Sequence, residues 1–532
     1  MNRLADEQSA YLASASHQPV SWHPWGEAPF ALARETDRPV LLDIGAAWCH
    51  WCHVMDSESY EDPELAEFLN ANFVCIKVDR DERPDVDARY QRAVQALTGQ
   101  GGWPLTALLT PDGEVFYGGT YFPPDGKYGR PGFRSVLERA LNVWKGQREK
   151  VSGTAAELSR HVERSLLETA SGDLDPAQLA QGAERMARLY DWRYGGFGTA
   201  PKFPHPGALE FLIARWWDTR EPWLREIAEK TLTAMARGGV YDQIGGGFHR
   251  YSVDERWIVP HFEKMAYDNA ELLAVYLHGY AAWGTPLLRE TALGIVSWAL
   301  EVLADRDGGT FGAAQDADVG LRDDGDYFTW TSDEARQALA PDEWEVARRH
   351  WDIYPEGEMH HNPAKNVLWV ARSVDAIAAE TGRDPDEVRD LLERARARLK
   401  AARDARAAPA VDRTAYASWN AMLAGAFLEA GAILGRPDCT EFALRVLGVL
   451  WDRAFVPGQG IPHRVPSVPT VPTVPTVPSV FLLDDQAHTA SAFLTAFEHT
   501  GDGRWLDRGR ELVDIMLAFH WDPNGGGLFD TR

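Results

Sequence analysis

Two cysteines separated by two residues stand where a strand-like run meets a helix-like segment, and this junction is the strongest constraint on the fold. An apolar run at residues 39–42 precedes Cys49 and Cys52, and a helical pattern follows them. The sulfur of Cys49 would lie at a helix N-terminus, where unpaired N–H groups and the helix dipole favour a thiolate. Cys52 would lie one turn further along, in position to attack a mixed disulfide formed by Cys49. The pair therefore indicates a redox-active dithiol.

The composition is that of a globular protein with a strongly acidic balance. The chain has 532 residues, of which 45% are apolar and 25% charged, and its length predicts two or three domains. A net charge of -25 argues against nucleic acids and anionic membranes as partners. Because we find neither a long apolar run nor a signal-peptide pattern, we expect a cytoplasmic protein. Four cysteines do not make a disulfide framework, so Cys75 and Cys439 are interpreted as inert thiols.

Residues 1–165 alternate between strand and helix patterns. The strand patterns lie at residues 40–44, 73–78, 105–109 and 115–119. The helical patterns, with apolar residues at helical spacing, lie at residues 63–70, 86–97 and 133–167. Strands that alternate with helices predict an α/β sheet, and we place the first domain at residues 1–165.

The residues around the two cysteines resemble the redox site of thioredoxin. A strand ending at Asp43 leads into the cysteine turn, and Trp103-Pro104 before a later strand resembles the cis-proline turn of that fold. The resemblance implies a buried Asp43 with a raised pKa that accepts the proton of Cys52. It implies that Trp103 and Pro104 form the turn on which a substrate peptide docks. Cys49 would be the nucleophile and Cys52 the resolving thiol.

A wider set of motifs resembles the spermatogenesis-associated, YyaL-like thioredoxin-domain family. The motifs are CHWCHVM (49–55), IKVDR (76–80), ERPD (82–85), GQGGWP (99–104), GTYFP (119–123), APKFP (200–204) and PHFEKM (260–265). They occur in one order over most of the chain. The resemblance implies an N-terminal thioredoxin-like fold followed by a helical toroid similar to six-hairpin glycosidases and N-acylglucosamine 2-epimerases.

Three other interpretations of the cysteine motif stay open at this point. The letters Cys-x-x-Cys-His also spell the attachment site of a c-type haem. A zinc site would use His50 and His53, although the chain has no second Cys-x-x-Cys pair. The third interpretation is a pair of unreactive, structural thiols. We favour the dithiol and predict neither a cofactor nor a metal.

Residues 173–532 show a different sequence pattern, which predicts long amphipathic helices between glycine-rich loops. The helical patterns lie at residues 175–190, 208–217, 221–237, 266–283, 286–303, 332–350, 374–403, 418–435, 438–453, 485–499 and 505–519. Glycine pairs or triplets followed by an aromatic residue recur, with the aromatic at positions 197, 248, 311 and 529. This recurrence predicts a repeated helical hairpin, and hairpins that cover one another's apolar faces form an all-α (α/α) toroid.

Two stretches depart from the family pattern. Residues 464–480 repeat Val-Pro with Ser or Thr at a period of three, which predicts a stiff polyproline II spacer. The sequence stops within the glycine-rich stretch at residues 525–532, where the family continues with further helices. We therefore expect an incomplete toroid.

The toroid also contains a dense group of polar and aromatic residues. The candidates are His249, His261 and Glu263 for catalysis and Trp192, Trp257, Arg250 and Asp268 for substrate binding. The two histidines would transfer protons at neutral pH, and Glu263 with Asp316 would suit glycoside chemistry. The tryptophans would stack on sugar rings. The competing interpretation is structural, because buried polar groups often only satisfy loop backbones.

Three functional hypotheses follow from these motifs. The first is a thiol–disulfide oxidoreductase fused to a carbohydrate-enzyme-like toroid, with a protein disulfide or a reductase as its partner. The second is a sugar epimerase or glycosidase with a regulatory thioredoxin domain and a carbohydrate ligand. The third is a non-catalytic interaction protein.

Overall fold

The computed structural model describes residues 2–127, 129, 131–167, 175–320, 323, 325–466 and 480–531. Contacts divide the chain into two compact units. The first unit comprises Met1–Gly172 and Asp522–Thr531, and the second comprises Asp173–Trp521.

A five-stranded sheet forms the centre of the first unit. Its strands are β1 (Trp22–His23), β2 (Val40–Gly45), β3 (Val74–Asp79), β4 (Leu105–Leu109) and β5 (Val115–Gly119). The order across the sheet is β1-β3-β2-β4-β5. β1, β3 and β2 are parallel, whereas β4 and β5 run antiparallel to their neighbours. This mixed sheet is the predicted thioredoxin-like fold, with the short β1 as a strand that the sequence patterns missed.

Seven α-helices accompany this sheet in the part of the unit that the structure describes. They are α1 (Ala10–Ser14), α2 (Glu27–Thr36), α3 (His50–Met55), α4 (Pro63–Asn72), α5 (Pro84–Thr98), α6 (Phe133–Gly146) and α7 (Arg148–Leu167). The helix predicted at 133–167 is therefore two helices that part at Gln147. Gly146 comes directly before this break, and glycine is among the weakest helix formers.

The alternation of side chains along the sheet separates an apolar face from a polar one. Val40, Leu42 and Ile44 of β2 belong to a core shared with Phe30 of α2 and Tyr90 of α5. Because successive side chains point to opposite faces, Asp43 of β2 lies on the other face. The parallel register pairs Asp43 with Lys77 of β3. The sheet thereby brings an acidic and a basic side chain together beneath the cysteine turn.

The second unit contains thirteen helices among its described residues. They are α8 (Ala177–Leu189), α9 (Pro206–Thr219), α10 (Pro222–Arg237), α11 (Ala266–Trp283), α12 (Pro286–Trp298), α13 (Ser332–Ala338), α14 (Pro341–His350), α15 (Val374–Thr381), α16 (Pro385–Asp404), α17 (Ala417–Leu434), α18 (Pro437–Val449), α19 (Leu483–Thr500) and α20 (Gly503–Phe519). Two-residue strands connect them: β6 (Tyr251–Ser252), β7 (Pro260–His261), β8 (Lys264–Met265), β9 (Ala304–Asp305), β10 (Thr310–Phe311), β11 (Ala314–Gln315), β12 (Trp330–Thr331), β13 (Lys365–Asn366) and β14 (Val411–Asp412).

The helices of this unit pack as hairpins in series. The first helices form a continuous row, in which α9 packs on α11, α11 on α17 and α17 on α19. Each second helix covers its own partner: α10 covers α9, α12 covers α11, α18 covers α17 and α20 covers α19. This is the predicted (α/α) toroid architecture. The row explains why α17 is long and apolar enough to cross a membrane, since 61% of it is buried inside the protein.

A four-helix insertion lies between the hairpin α11–α12 and the hairpin α17–α18. Helices α13 to α16 share a separate apolar core that includes Trp351, Ile377 and Leu391. The predicted helices at 332–350 and 374–403 are each broken in two here. Proline accounts for both breaks, because Pro341 and Pro385 start new helices and cannot donate the hydrogen bond that would continue the preceding one.

The glycine-rich loops share one backbone geometry, as the predicted repeat requires. Each starts with an aspartate whose carbonyl accepts a hydrogen bond from the N–H of the glycine four residues later. The aspartates are Asp191, Asp242, Asp305 and Asp522, and the glycines are Gly195, Gly246, Gly309 and Gly526. These glycines have φ values of 72 to 74°, a left-handed conformation that favours glycine.

An amide side chain of a following first helix holds the end of two of these loops and of one further glycine-containing turn, residues 456–460. Asn269 exchanges two hydrogen bonds with the backbone of Phe248, and Asn420 does the same with Phe311. Gln486 holds Ile461 in this way. The repeat is therefore visible in side-chain contacts as well as in helix packing. Most of the predicted spacer, residues 467–479, lies outside the described residues.

Candidate functional site

The two cysteines lie at the start of α3, in the turn that follows β2. Cys49 is the N-cap of α3, and its Sγ accepts a hydrogen bond of 3.2 Å from the N–H of Cys52. Cys49 and Cys52 are joined by a disulfide and are 6% and 1% exposed. An N-cap sulfur lies at the positive end of the helix dipole, which stabilises a thiolate after reduction. The sequence predicted this placement.

Asp43 lies buried under the turn at the centre of a hydrogen-bond network. Its Oδ2 accepts bonds from Lys77 Nζ at 2.7 Å and from Tyr11 Oη at 3.1 Å. Its Oδ1 accepts a bond from Tyr60 Oη at 3.1 Å. Burial raises the pKa of Asp43; the Lys77 charge opposes this increase, and the Asp56 charge adds to it. An aspartate with a raised pKa is a better proton acceptor than an exposed one.

Lys77 is held by two carboxylates and three aromatic rings. Its Nζ lies 2.7 Å from Asp43 and 2.8 Å from Asp56. The same atom lies 4.5 to 5.2 Å from the ring centres of Tyr11, Trp22 and Tyr60. Burial by itself would lower the pKa of Lys77, but the charges of Asp43 and Asp56 outweigh it and raise that pKa. Lys77 therefore stays charged and compensates the acidic pair.

A second network surrounds the docking turn predicted at Trp103 and Pro104. The Trp103–Pro104 peptide is cis. The ring of Trp103 lies 5.8 Å from that of Trp48, edge to face, and its Nε1 donates to Asp87 at 2.9 Å. The Arg80 guanidinium lies 4.7 Å from the Trp103 ring centre. Trp103 is therefore held beside the cysteine turn by ring, hydrogen-bond and cation contacts.

An aromatic pair lies on the exposed side of the cysteines. Trp51, between the two cysteines, is 40% exposed, and its ring centre lies 4.9 Å from that of Tyr121. Tyr121 donates a hydrogen bond of 2.6 Å to Glu58. Tyr121 is itself buried, so the Trp51 ring supplies the exposed apolar surface next to the buried disulfide. Such a surface suits a peptide substrate, because aromatic side chains combine large contact areas with few rotatable bonds.

Two of the candidates in the helical unit are buried in ways that limit their predicted roles. His249 Nδ1 donates a hydrogen bond of 2.6 Å to the Phe262 carbonyl. Burial followed by the Lys264 charge lowers the pKa of His249 to about 3, so its imidazole is neutral at pH 7. Its role in proton transfer stays a prediction. Trp257 is 0% exposed, with Nε1 on the Gly195 carbonyl. Its ring cannot stack on a sugar.

A buried lysine near His249 has a structural explanation. Burial lowers the pKa of Lys264 to about 8, which is typical of a reactive lysine. However, its Nζ binds Asp242 and the Gly246 carbonyl of a glycine loop. Lys202 binds Asp191 and the Gly195 carbonyl of the preceding loop in the same way. Because the same lysine contact recurs at equivalent positions of two loops, we interpret it as a structural feature of the hairpins.

The other candidates form a polar group around two antiparallel strands. β8 pairs with β11 so that Gln315 lies opposite Lys264, and the next pair in this register is Glu263 with Asp316. His261 Nδ1 lies 3.6 Å from Glu263 Oε2. Nearby, Arg250 Nε lies 3.9 Å from Asp268 Oδ2. Trp192 is 52% exposed in an earlier loop, where its ring centre lies 4.9 Å from that of Tyr190.

Several residues of the redox site were missed by sequence reasoning. Lys77 could have been found, because a lysine inside the apolar strand VCIKVD on the same face as Cys75 must have a buried partner. Tyr11 and Tyr60 come from helical segments with no sequence pattern that points to Asp43. Among the described residues, we find no group of three or more His, Cys, Asp or Glu side chains arranged to hold a metal ion.

Comparison with known proteins gives similarity along the whole chain. Residues 1–163 match the family model Thioredox_DsbH, described as a protein of unknown function, DUF255. Spermatogenesis-associated protein 20 of Mus musculus is 35% identical over 567 aligned positions, covering 99% of this chain and 71% of the mouse protein. The Homo sapiens protein of that name is also 35% identical, with the same coverage. A GH76 alpha-mannanase of Bacteroides thetaiotaomicron is structurally similar with a TM-score of 0.40 and 9% identity, covering 67% of this chain and 73% of that chain.

Proposed function

We propose that the chain, which belongs to the spermatogenesis-associated protein 20 family, carries a thiol–disulfide oxidoreductase site in its thioredoxin-like unit. In this proposal Cys49 attacks a disulfide of a client protein and Cys52 resolves the mixed disulfide. The client docks at Trp103 and Pro104, and a cellular reductase returns the pair to the dithiol. We place this reaction in the cytoplasm.

The observation that carries the proposal is the joint placement of the two sulfurs and a buried acid. Cys49 caps α3, where a thiolate is favoured. Beneath the turn, Asp43 is buried with a raised pKa and is thus suited to accept a proton. An inert pair of thiols would need neither the N-cap position nor the buried carboxylate.

A redox titration of the full chain tests this proposal. We expect the Cys49–Cys52 pair to interconvert reversibly between dithiol and disulfide in glutathione buffers, with a potential between about -270 and -120 mV, the range of known dithiol oxidoreductases. Thiol counting by mass spectrometry after alkylation measures the transition. A pair that stays oxidised, or stays reduced, throughout this range would contradict the proposal.

We also propose a second candidate function, acid–base chemistry on a carbohydrate. It is supported by two carboxyl groups of the helical unit, Asp316 and Glu263, whose pKa values shift in opposite directions. Burial raises the pKa of Asp316 to about 7, and the charges of Asp318 and Glu263 contribute to this increase. Burial by itself would raise the pKa of Glu263, but His261 and Arg250 outweigh it and lower that pKa. Two neighbouring carboxyl groups with separated pKa values can serve as acid and base in one reaction.

Incubation with neutral mono- and disaccharides in heavy water tests this second function. We expect deuterium exchange at a sugar carbon or release of a new reducing end, detected by proton NMR. Activity that needs protonated Asp316 should fall as the pH rises through about 7. Asp316→Asn and Glu263→Gln should each remove it, whereas the exposed-loop control Asp307→Asn should not. Activity that survives in both variants would overturn the assignment.

A further inference from the structure

The buried aspartate and the resolving cysteine both lie near the hydroxyl group of Tyr11. Tyr11 of α1 donates a hydrogen bond of 3.1 Å to Asp43 Oδ2. A Cβ atom built on Gly45 would lie 2.3 Å from Tyr11 Oη and 2.8 Å from Cys52 Sγ. One added methyl group would therefore touch both atoms. The hydroxyl of Tyr11 and the sulfur of Cys52 border the same small space, which the missing side chain of Gly45 leaves open.

We propose that the Tyr11 hydroxyl relays the proton of Cys52 to Asp43 during resolution of the mixed disulfide. The inference deepens the thiol–disulfide exchange proposed above and rests on it. Tyr60 forms a hydrogen bond of the same length to the other oxygen of Asp43. Tyr11 Oη and Cys52 Sγ are among the three atoms nearest to the Cβ position of Gly45. The two hydroxyls thus share a partner, and we assign the relay to Tyr11 because its hydroxyl lies beside the thiol.

The proposed step is balanced in protons and electrons. Cys52 gives its thiol proton to Tyr11 Oη while Tyr11 gives its own proton to Asp43 Oδ2. Cys52 Sγ then attacks Cys49 Sγ, and the bond between Cys49 and the client sulfur breaks. The client sulfur leaves as a thiolate and takes a proton from water. The client disulfide has then been reduced by two electrons, and the Cys49–Cys52 dithiol has been oxidised to the disulfide.

The charges that face Asp43 support proton transfer in this direction. The titratable groups that interact with Asp43 are Tyr11 of α1, Asp56 and Tyr60 of the π-helix after α3, and Cys75 and Lys77 of β3. The facing residue of β4, Thr106, is uncharged. Burial and the Asp43 charge raise the pKa of Tyr11 well above its usual value. Tyr11 therefore passes a proton on and does not remain a phenolate.

Single-turnover kinetics with the full chain and insulin as the disulfide probe test the relay. Tyr11→Phe should slow the resolving step by about 100-fold, the usual effect of losing a positioned proton carrier, and mixed disulfide should accumulate. Formation of that mixed disulfide by Cys49 should change by less than a factor of about 2. Tyr60→Phe, which removes an equivalent hydrogen bond to Asp43, should slow resolution less than Tyr11→Phe does.

Three outcomes would overturn the relay. In the first, Tyr11→Phe resolves at the wild-type rate; in the second, both steps slow equally; in the third, Tyr60→Phe matches Tyr11→Phe. If Tyr11→Phe does not fold, Gly45→Ala supplies the test, because its methyl group separates the hydroxyl from the thiol and should slow the same step. Wild-type protein that forms no mixed disulfide at all would instead refute the proposed function.

Discussion

Cys49→Ser is expected to reduce catalysed disulfide reduction to the level of buffer without protein. The reason is chemical, since a serine hydroxyl does not form the thiolate that attacks a disulfide sulfur. Cys49 caps α3 with its Sγ, and serine is a good N-cap residue, so the variant should fold. Insulin reduction with dithiothreitol as the recycling reductant measures the rate.

Cys439→Ala is the matched control for this variant. Cys439 is buried in the helical unit, and burial raises the pKa of its thiol to about 12, so that it is not a thiolate at neutral pH. We expect wild-type turnover in this control. Insulin reduction that continues in Cys49→Ser above the buffer rate would show that another group is the nucleophile.

Lys77→Met is expected to destabilise the thioredoxin-like unit by about 3 to 5 kcal/mol, the usual effect of removing one partner from a buried ion pair. The substitution preserves much of the apolar stem and removes the charge that Asp43 and Asp56 share. Two carboxylates would then be buried without a cation. Urea denaturation of the full chain, followed by hydrogen exchange of peptides covering β2 and β3, measures the loss in this unit.

The pH dependence of the Lys77→Met defect follows from the same charges. Burial already raises the folded-state pKa of Asp43, and without the opposing charge of Lys77 that pKa rises further above its unfolded value. The folded state then binds more protons, so its stability falls as the pH rises and is recovered toward about pH 4, the unfolded pKa of aspartate. Lys145→Met on the exposed face of α6 should change stability by less than about 0.5 kcal/mol. Equal losses in the two variants would contradict the role of Lys77.

The parts of the redox site that come from local pattern could be predicted from sequence. The strand before Cys49, the helix after it and the position of Asp43 follow from apolar periodicity and motif spacing. The hydroxyls that surround Asp43 could not be predicted in the same way. Tyr11 belongs to a five-residue helix, and Tyr60 to a five-residue π-helix that follows α3. Their approach to Asp43 depends on tertiary packing, which produces no periodic pattern in the sequence.

In the helical unit, the repeat was predictable but the burial of individual residues was not. The glycine loops and helical periodicity indicated hairpins, and the helix packing confirms them. His249 and Trp257 were predicted as site residues from the chemistry of their side chains. Their neighbours, Phe262 and Phe328 for His249 and the Gly195 loop for Trp257, enclose them. Residue type alone does not distinguish a polar group that lines a cavity from one that completes a core.

The most direct test of the redox assignment is to trap its covalent intermediate. In Cys52→Ser the resolving thiol is absent, so a client disulfide attacked by Cys49 should stay attached to it. We expect peptide mapping of the full-length Cys52→Ser protein, after incubation with insulin, to locate the mixed disulfide at Cys49 and dithiothreitol to release it. Absence of an adduct, or an adduct at Cys75 or Cys439 instead, would contradict Cys49 as the nucleophile.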